Sequence, residues 1–164
     1  GIKERQERDR EAVRRSILDA ARELFVKEGF GNVSIRKIAE RIEYSPAAIY
    51  GYFPSKDDIF WALAEEGFQL LYGTAEDRAA LQGLPPLEHV RASFRRLYAF
   101  STEHPQYFSL MFIDHSVPRI SRGYEGFACA RDMKNEMRGL LSAAADAGTL
   151  PAGVSPDVLF RLLS

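Results

Sequence analysis

Three serines spaced 11 and 10 residues apart, Ser34, Ser45 and Ser55, each stand where a helix can begin, so the chain between them has room only for short helices and tight turns. Ser34 is a good N-cap, and Ile35, Ile38, Ala39 and Ile42 lay an apolar stripe on the helix that follows. Glu43 and Tyr44 fill a short turn. Ser45 then caps a second helix with Pro46 at its first position, where the missing N–H costs nothing. Ile49 and Phe53 are four apart and anchor that helix inward, which leaves Ala47, Ala48, Tyr50, Gly51 and Tyr52 largely outside. Small side chains let a helix backbone come close to a surface, and tyrosine hydroxyls reach phosphates or base edges. Ser55 opens a third helix, with Asp58 at the third position after it, close to a capping box. Lys56 sits at that helix start, an unfavourable place for a cation on the helix dipole unless an anion is met there.

Composition narrows the class. The chain has 164 residues, fits one long or two small domains, and is 46% hydrophobic, ample for a core. No run of 18 apolar residues suggests a membrane span, and the polar, charged start has no apolar leader segment. The single cysteine, Cys129, excludes an internal disulfide framework and fits a reducing, cytoplasmic setting. A net charge of −1 argues against a nucleic-acid binder, but the distribution argues for one. Residues 1–56 carry 12 Lys and Arg against 9 Asp and Glu, whereas residues 57–164 carry 10 against 14. A basic head on an acidic body suits a domain that touches phosphates through one face.

The Ser34–Lys56 stretch resembles the helix-turn-helix of the tetracycline-repressor (TetR) family of bacterial transcription regulators. Ser45, Tyr50, Tyr52, Phe53 and Lys56 meet the family pattern, and Ile17, Ala20, Ala21, Leu24, Phe25, Gly29, Phe30, Ser34, Ile38 and Ala39 extend it upstream. Two positions depart from it: the turn glycine common in the family is Glu43 here, and Pro46 follows the second cap in place of a polar residue. The resemblance covers about the first third of the chain. It implies an all-α fold: an N-terminal arm and three-helix helix-turn-helix domain (residues 1–56), joined by a fourth helix to a helical effector-binding and dimerisation domain (residues 57–164).

The rest of the chain reads as helices separated by breaks. The opening GIKERQERDREAVRR alternates charges without apolar anchors until Val13 and is read as a solvated arm. A first helix follows from Val13 and stops at Gly29. A fourth helix is expected from Asp57 to about Tyr72, a fifth after Pro85 and Pro86 as far as His104, and a short apolar one from Gln106 to Ile113. Asp114 to Gly126 is expected as a loop. Ala130, Met133, Met137, Leu140, Leu141 and Ala144 stripe a long helix closed by Gly148, and Ser155-Pro156-Asp157 starts another. An apolar helix that stops after its second turn is expected to continue in the full protein.

Carried across from the family, Ser34 donates to a phosphate, and Tyr44, Ser45, Tyr50, Tyr52 and Lys56 hold the sugar-phosphate backbone. Pro46, Ala47 and Gly51 lie nearest base edges, with Arg36 or Lys37 as a further contact. Ala47 and Gly51 lack side-chain donors, so specificity leans on close approach and DNA shape. The implied partners are a double-stranded operator, a second copy of the chain and a small-molecule effector, with no cofactor or metal and no membrane. Residues 57–164 hold 13 of the 19 aromatics, and Phe68, Tyr72, Phe94, Tyr98, Tyr107, Met111, Phe112 and Phe127 are candidates to line a cavity for a hydrophobic or aromatic effector.

Enzymatic chemistry finds little support. His89, His104 and His115 are 15 and 11 residues apart, without a spacing that puts two metal ligands on one helix face. Asp57 and Asp58 are adjacent and point different ways, and no P-loop, nucleophile elbow or dinucleotide fingerprint is present. Cys129 lies in an apolar helical run, where thiols are usually inert. The alternative function is a helical protein–protein interaction module with no DNA role.

Overall fold

A computed structural model of the chain describes residues 1–118, 128–150 and 153. In chain order its helices are α1 (Ile2–Glu28), α2 (Ile35–Arg41), α3 (Pro46–Tyr50), α4 (Lys56–Tyr72), α5 (Ala75–Leu81), α6 (Pro86–Glu103), α7 (Pro105–Phe108) and α8 (Ala128–Asp146). No strand occurs among the described residues, so the fold is all-α. These residues gather into two compact units. Gly1–Gly67 and the segment from His104 make the first; Phe68–Glu103 and the described residues from Ala128 make the second. The first unit thus extends past residue 56 into α4 and takes back a later stretch of chain.

The expected solvated arm is helical from Ile2. It has no apolar anchors, but Lys, Glu, Arg and Gln are strong helix formers, and Arg14 pairs with Glu11 one turn away at 3.7 Å. Further on, α1 buries Ile17, Leu18, Ala20, Ala21, Leu24 and Phe25. It stops at Gly29, whose φ of 84° is open to glycine and whose N–H closes on the Phe25 carbonyl.

A 3₁₀ turn, Phe30–Asn32, leads to the three serine caps. Ser34 accepts the Lys37 N–H at 3.2 Å, Ser45 the Ala48 N–H at 3.1 Å, and Ser55 the Asp58 N–H at 3.2 Å. The chain reverses between α2 and α3 through Glu43, at φ 60°, and the Tyr44 N–H closes that turn on the Ala39 carbonyl at 2.9 Å. Left-handed backbone costs a residue with a Cβ about 1–2 kcal/mol.

Aromatic rings form the centre of this unit. Phe30 sits edge-on to Phe25 and to Phe60, with centroids 4.9 and 5.6 Å away. Ile17, Leu18, Ile38, Ile49, Ile59 and Leu63 are fully buried beside them. The expected helix over Gln106–Ile113 begins at Pro105 and changes pitch: Ser109–Ile113 is a π-helical turn, closed by the Asp114 N–H on the Ser109 carbonyl at 3.0 Å. Leu110 and Met111 are buried there. A Cβ on Gly67 would stand 2.2 Å from Met111 Sδ and 3.2 Å from Tyr107 Cδ1, so α4 meets this segment across a missing side chain.

In the second unit, α5 is an element the apolar pattern does not reveal, because none of its side chains is buried. Its signal is local: Thr74 accepts the Asp77 N–H at 3.1 Å and Asp77 accepts the Thr74 N–H at 2.8 Å, a reciprocal capping box. α6 packs on α8, with Val90, Phe100, Leu141 and Ala144 buried. The expected helix from residue 155 and most of the expected loop over 114–126 lie outside the described residues. No described helix is long and apolar enough to cross a membrane.

Relieving the left-handed residue at the α2–α3 turn tests this geometry. Glu43→Gly should raise unfolding free energy by about 1 kcal/mol in urea titrations, and the β-branched Glu43→Val should lower it.

Candidate nucleic-acid interface

On α3 the buried residue is Ile49, and Ser45, Pro46, Ala47, Tyr50 and Gly51 are exposed around it. Positions 46, 47, 50 and 51 follow helical spacing, so one face of α3 carries a proline, an alanine, a tyrosine and a glycine. Tyr44 at 44% and Tyr50 at 54% exposure bracket that face with two outward phenols. Ser34 and Ser45 accept their cap hydrogen bonds while remaining exposed, so each hydroxyl proton is still available to an outside acceptor.

The charged candidates are tethered inside the first unit. Arg36 pairs with Glu40 at 3.1 Å on the exposed side of α2, and Lys37 pairs with Glu28. Lys56 does not stand free at its helix start: its ammonium donates to the Phe30 carbonyl at 2.8 Å and lies 4.2 Å over the Phe30 ring. An ammonium has three donors, so this leaves capacity for a phosphate. Tyr52 is half-buried because Arg10 stacks over its ring at 4.8 Å and donates to the Gly51 carbonyl at 3.3 Å. Arg14 lies 5.3 Å over Phe53. Neither arginine stands out in the sequence until the opening stretch is read as helix, when their spacing of four places both on one face.

Within the first unit a charged network joins α1, α4 and α7. Both terminal guanidinium nitrogens of Arg15 donate to Glu66, which also accepts the Tyr107 hydroxyl at 2.8 Å. Arg22 donates to Gln106 Oε1 and to the Tyr107 hydroxyl, each at 3.0 Å. The Glu66 hydrogen bond pushes Arg15 further up from its already high pKa, and burial followed by the bond to Glu66 pushes Tyr107 up. Asp114 accepts the Phe30 N–H at 2.9 Å and the Ser116 N–H at 2.8 Å, and Ser116 in turn accepts the Gly31 N–H at 3.0 Å. Burial opposes its charge, but the bonds from Phe30 and Ser116 outweigh that, and its pKa lies below the ordinary aspartate value.

The second unit holds a cavity of about 60 Å³ among Tyr72, Leu81, His89, Met133, Glu136 and Leu140, with Arg78 and Arg96 also on its wall. Glu136 is its polar hub, accepting the Tyr72 hydroxyl at 3.0 Å and facing His89 Nε2 at 3.5 Å. Burial, then the Glu136 bond, pushes the Tyr72 phenol up to about 12. Of the aromatic candidates, Tyr72 lines this cavity and Phe68 is buried, whereas Phe94 is exposed and Tyr98 is 73% exposed on α6. Tyr107, Met111 and Phe112 belong to the first unit. Phe127 lies outside the described residues. His89, buried at the cavity wall, and Glu136 carry no sequence signal of their own; a lone histidine on a helix becomes legible only with its partner.

A depressed aspartate pKa contributes stability that is present above the unfolded value near 4 and is lost as pH falls through the folded value. Asp114→Asn should therefore melt at a lower temperature than wild type at pH 7, and the gap should close below about pH 4 in calorimetric scans.

Residues 17–63 match the family described as bacterial regulatory proteins, tetR family. An uncharacterized HTH-type transcriptional regulator of Haemophilus influenzae is 26% identical over 146 residues, which cover 89% of this chain and 74% of that protein. The HTH-type transcriptional repressor Rv1474c of Mycobacterium tuberculosis is 38% identical over 64 residues, 39% of this chain and 34% of that protein. The crystal structure of Thermus thermophilus FadR, a TetR-family transcriptional repressor in complex with lauroyl-CoA, aligns with a TM-score of 0.54 at 28% identity, covering 92% of this chain and 76% of that one. Residues 17–63, which build the serine-capped helices around Ile38 and Ile49, carry the sequence of the tetR family of bacterial regulatory proteins.

Proposed function

We propose that this protein is a ligand-responsive transcriptional repressor that binds a palindromic operator as a homodimer and leaves it when a small effector binds. The observation that carries the reading is the exposed face of α3, where Pro46, Ala47 and Gly51 offer no bulk and Tyr44 and Tyr50 flank them. A helix so trimmed can lie deep in a major groove, with phenols and cap hydroxyls reaching the phosphates on either side. In this reading Ser34, Tyr44, Ser45, Tyr50, Tyr52 and Lys56 hold the backbone, Arg36 or Lys37 adds a contact, and Pro46, Ala47 and Gly51 approach base edges. A dimer reads half-sites about 34–36 Å apart.

The effector belongs in the second unit. The relatives named as repressors and the acyl-CoA complex of a family member support a small-molecule input with an apolar portion. The cavity of about 60 Å³ is far below the roughly 300 Å³ at which ligand pockets begin, so the effector binds a more open state and shifts the population toward it. Leu81, Met133 and Leu140 supply apolar wall, and the Tyr72–Glu136–His89 cluster supplies orientation. α4 begins beside α3 in sequence and ends at Tyr72 on that wall, so it is the element both events share.

A fluorescence-anisotropy titration against duplex DNA from beside the coding region tests the operator reading. Affinity should fall by orders of magnitude between about 50 and 200 mM salt. Tyr50→Ala should weaken binding about tenfold, or ~1.4 kcal/mol. Lys56→Ala should lower the salt slope by about 1. A protein without sequence preference, whose variants bind as wild type does, would remove the repressor reading in favour of a protein-interaction module.

A further inference from the structure

The first unit contains a second cavity, unrelated to the Tyr72–Glu136 cluster. It holds about 180 Å³ between the last turn of α1 and the π-helical turn, lined by Phe25, Val26, Gly29, Ser109, Leu110, Ile113 and Asp114. Its floor is the buried pair Phe25 and Leu110. Its walls are Val26 and Ile113, apolar side chains left 37% and 57% exposed. An apolar cavity of about 150 Å³ is enough to take up benzene. The wall itself is unusual: π-turns are rare and are frequent at functional sites.

The rim is polar and of one sign. A carboxylate offers about four lone-pair positions. At Asp114 three are taken, by the Phe30 N–H, the Ser116 N–H and the Ser116 hydroxyl. That leaves the carboxylate one acceptor position, and Asp114 lines a groove that is otherwise mostly apolar and whose lining includes no cation. That combination selects a neutral ring carrying a donor and rejects an anion.

We propose that this groove is a binding site for a small uncharged aromatic molecule of the phenol class, its ring between Phe25, Val26, Leu110 and Ile113 and its hydroxyl donating to Asp114. The same carboxylate clamps the Phe30 N–H, so the occupant shares a group with the turn that precedes α2. None of the groove's lining residues lies on the exposed face of α3.

The test is a titration of the full chain with phenol, followed by amide shifts in ¹H–¹⁵N spectra and by the melting temperature. Saturable shifts at Val26, Gly29, Ile113 and Asp114, with a rising melting temperature, are expected. Val26→Trp fills the groove from an exposed position and should weaken phenol binding at least tenfold while the rest of the spectrum stays dispersed. Benzoate should not bind. Shifts confined to residues around Tyr72 and His89, unchanged affinity in Val26→Trp, or benzoate binding as well as phenol would each overturn the proposal.

Discussion

Phe30 is the joint on which the first unit turns. Its ring stands edge-on between Phe25 and Phe60, its N–H is taken by Asp114, and its carbonyl takes the Lys56 ammonium. Edge-to-face aromatic pairs add about 0.5–1.5 kcal/mol each beyond the area they bury. One residue thus fixes where α1 ends, where α4 begins and where the 114–116 segment attaches. The exposed face of α3 inherits its position from that arrangement, because α2 and α3 hang between the two helices that Phe30 joins.

What the sequence disclosed was governed by the range of the interaction. The serine caps at 34, 45 and 55 were legible because each is satisfied within three residues. The exposed α3 face was legible for the same reason, since Ile49 and Phe53 alone orient so short a helix. Lys56 was half legible. Its position on the dipole marked it, but its partner carbonyl is 26 residues away and is set by the tertiary fold. Asp114 was read as the start of a loop, and nothing local announces a hydrogen bond reaching back 84 residues.

The aromatic candidates show a different limit. Richness in rings places an apolar load on the later part of the chain without saying which rings are core, wall or surface. Phe68 and Phe100 went inward, Tyr98 outward, and Tyr107 into a charged network with Glu66 and Arg22. Around the second-unit cavity the polar wall is a carboxylate, a phenol and an imidazole drawn from α8, α4 and α6. The charged helix start at Ile2 was missed for a related reason, since a helix held by propensity and pairing leaves no hydrophobic stripe to follow.

The notch at Gly67 has an evolutionary consequence. A methyl group there would press on the thioether end of Met111, a flexible side chain that would have to swing aside to admit it. A bulkier residue would also meet the Tyr107 ring, 3.2 Å from that Cβ, so position 67 tolerates alanine more readily than a branched side chain.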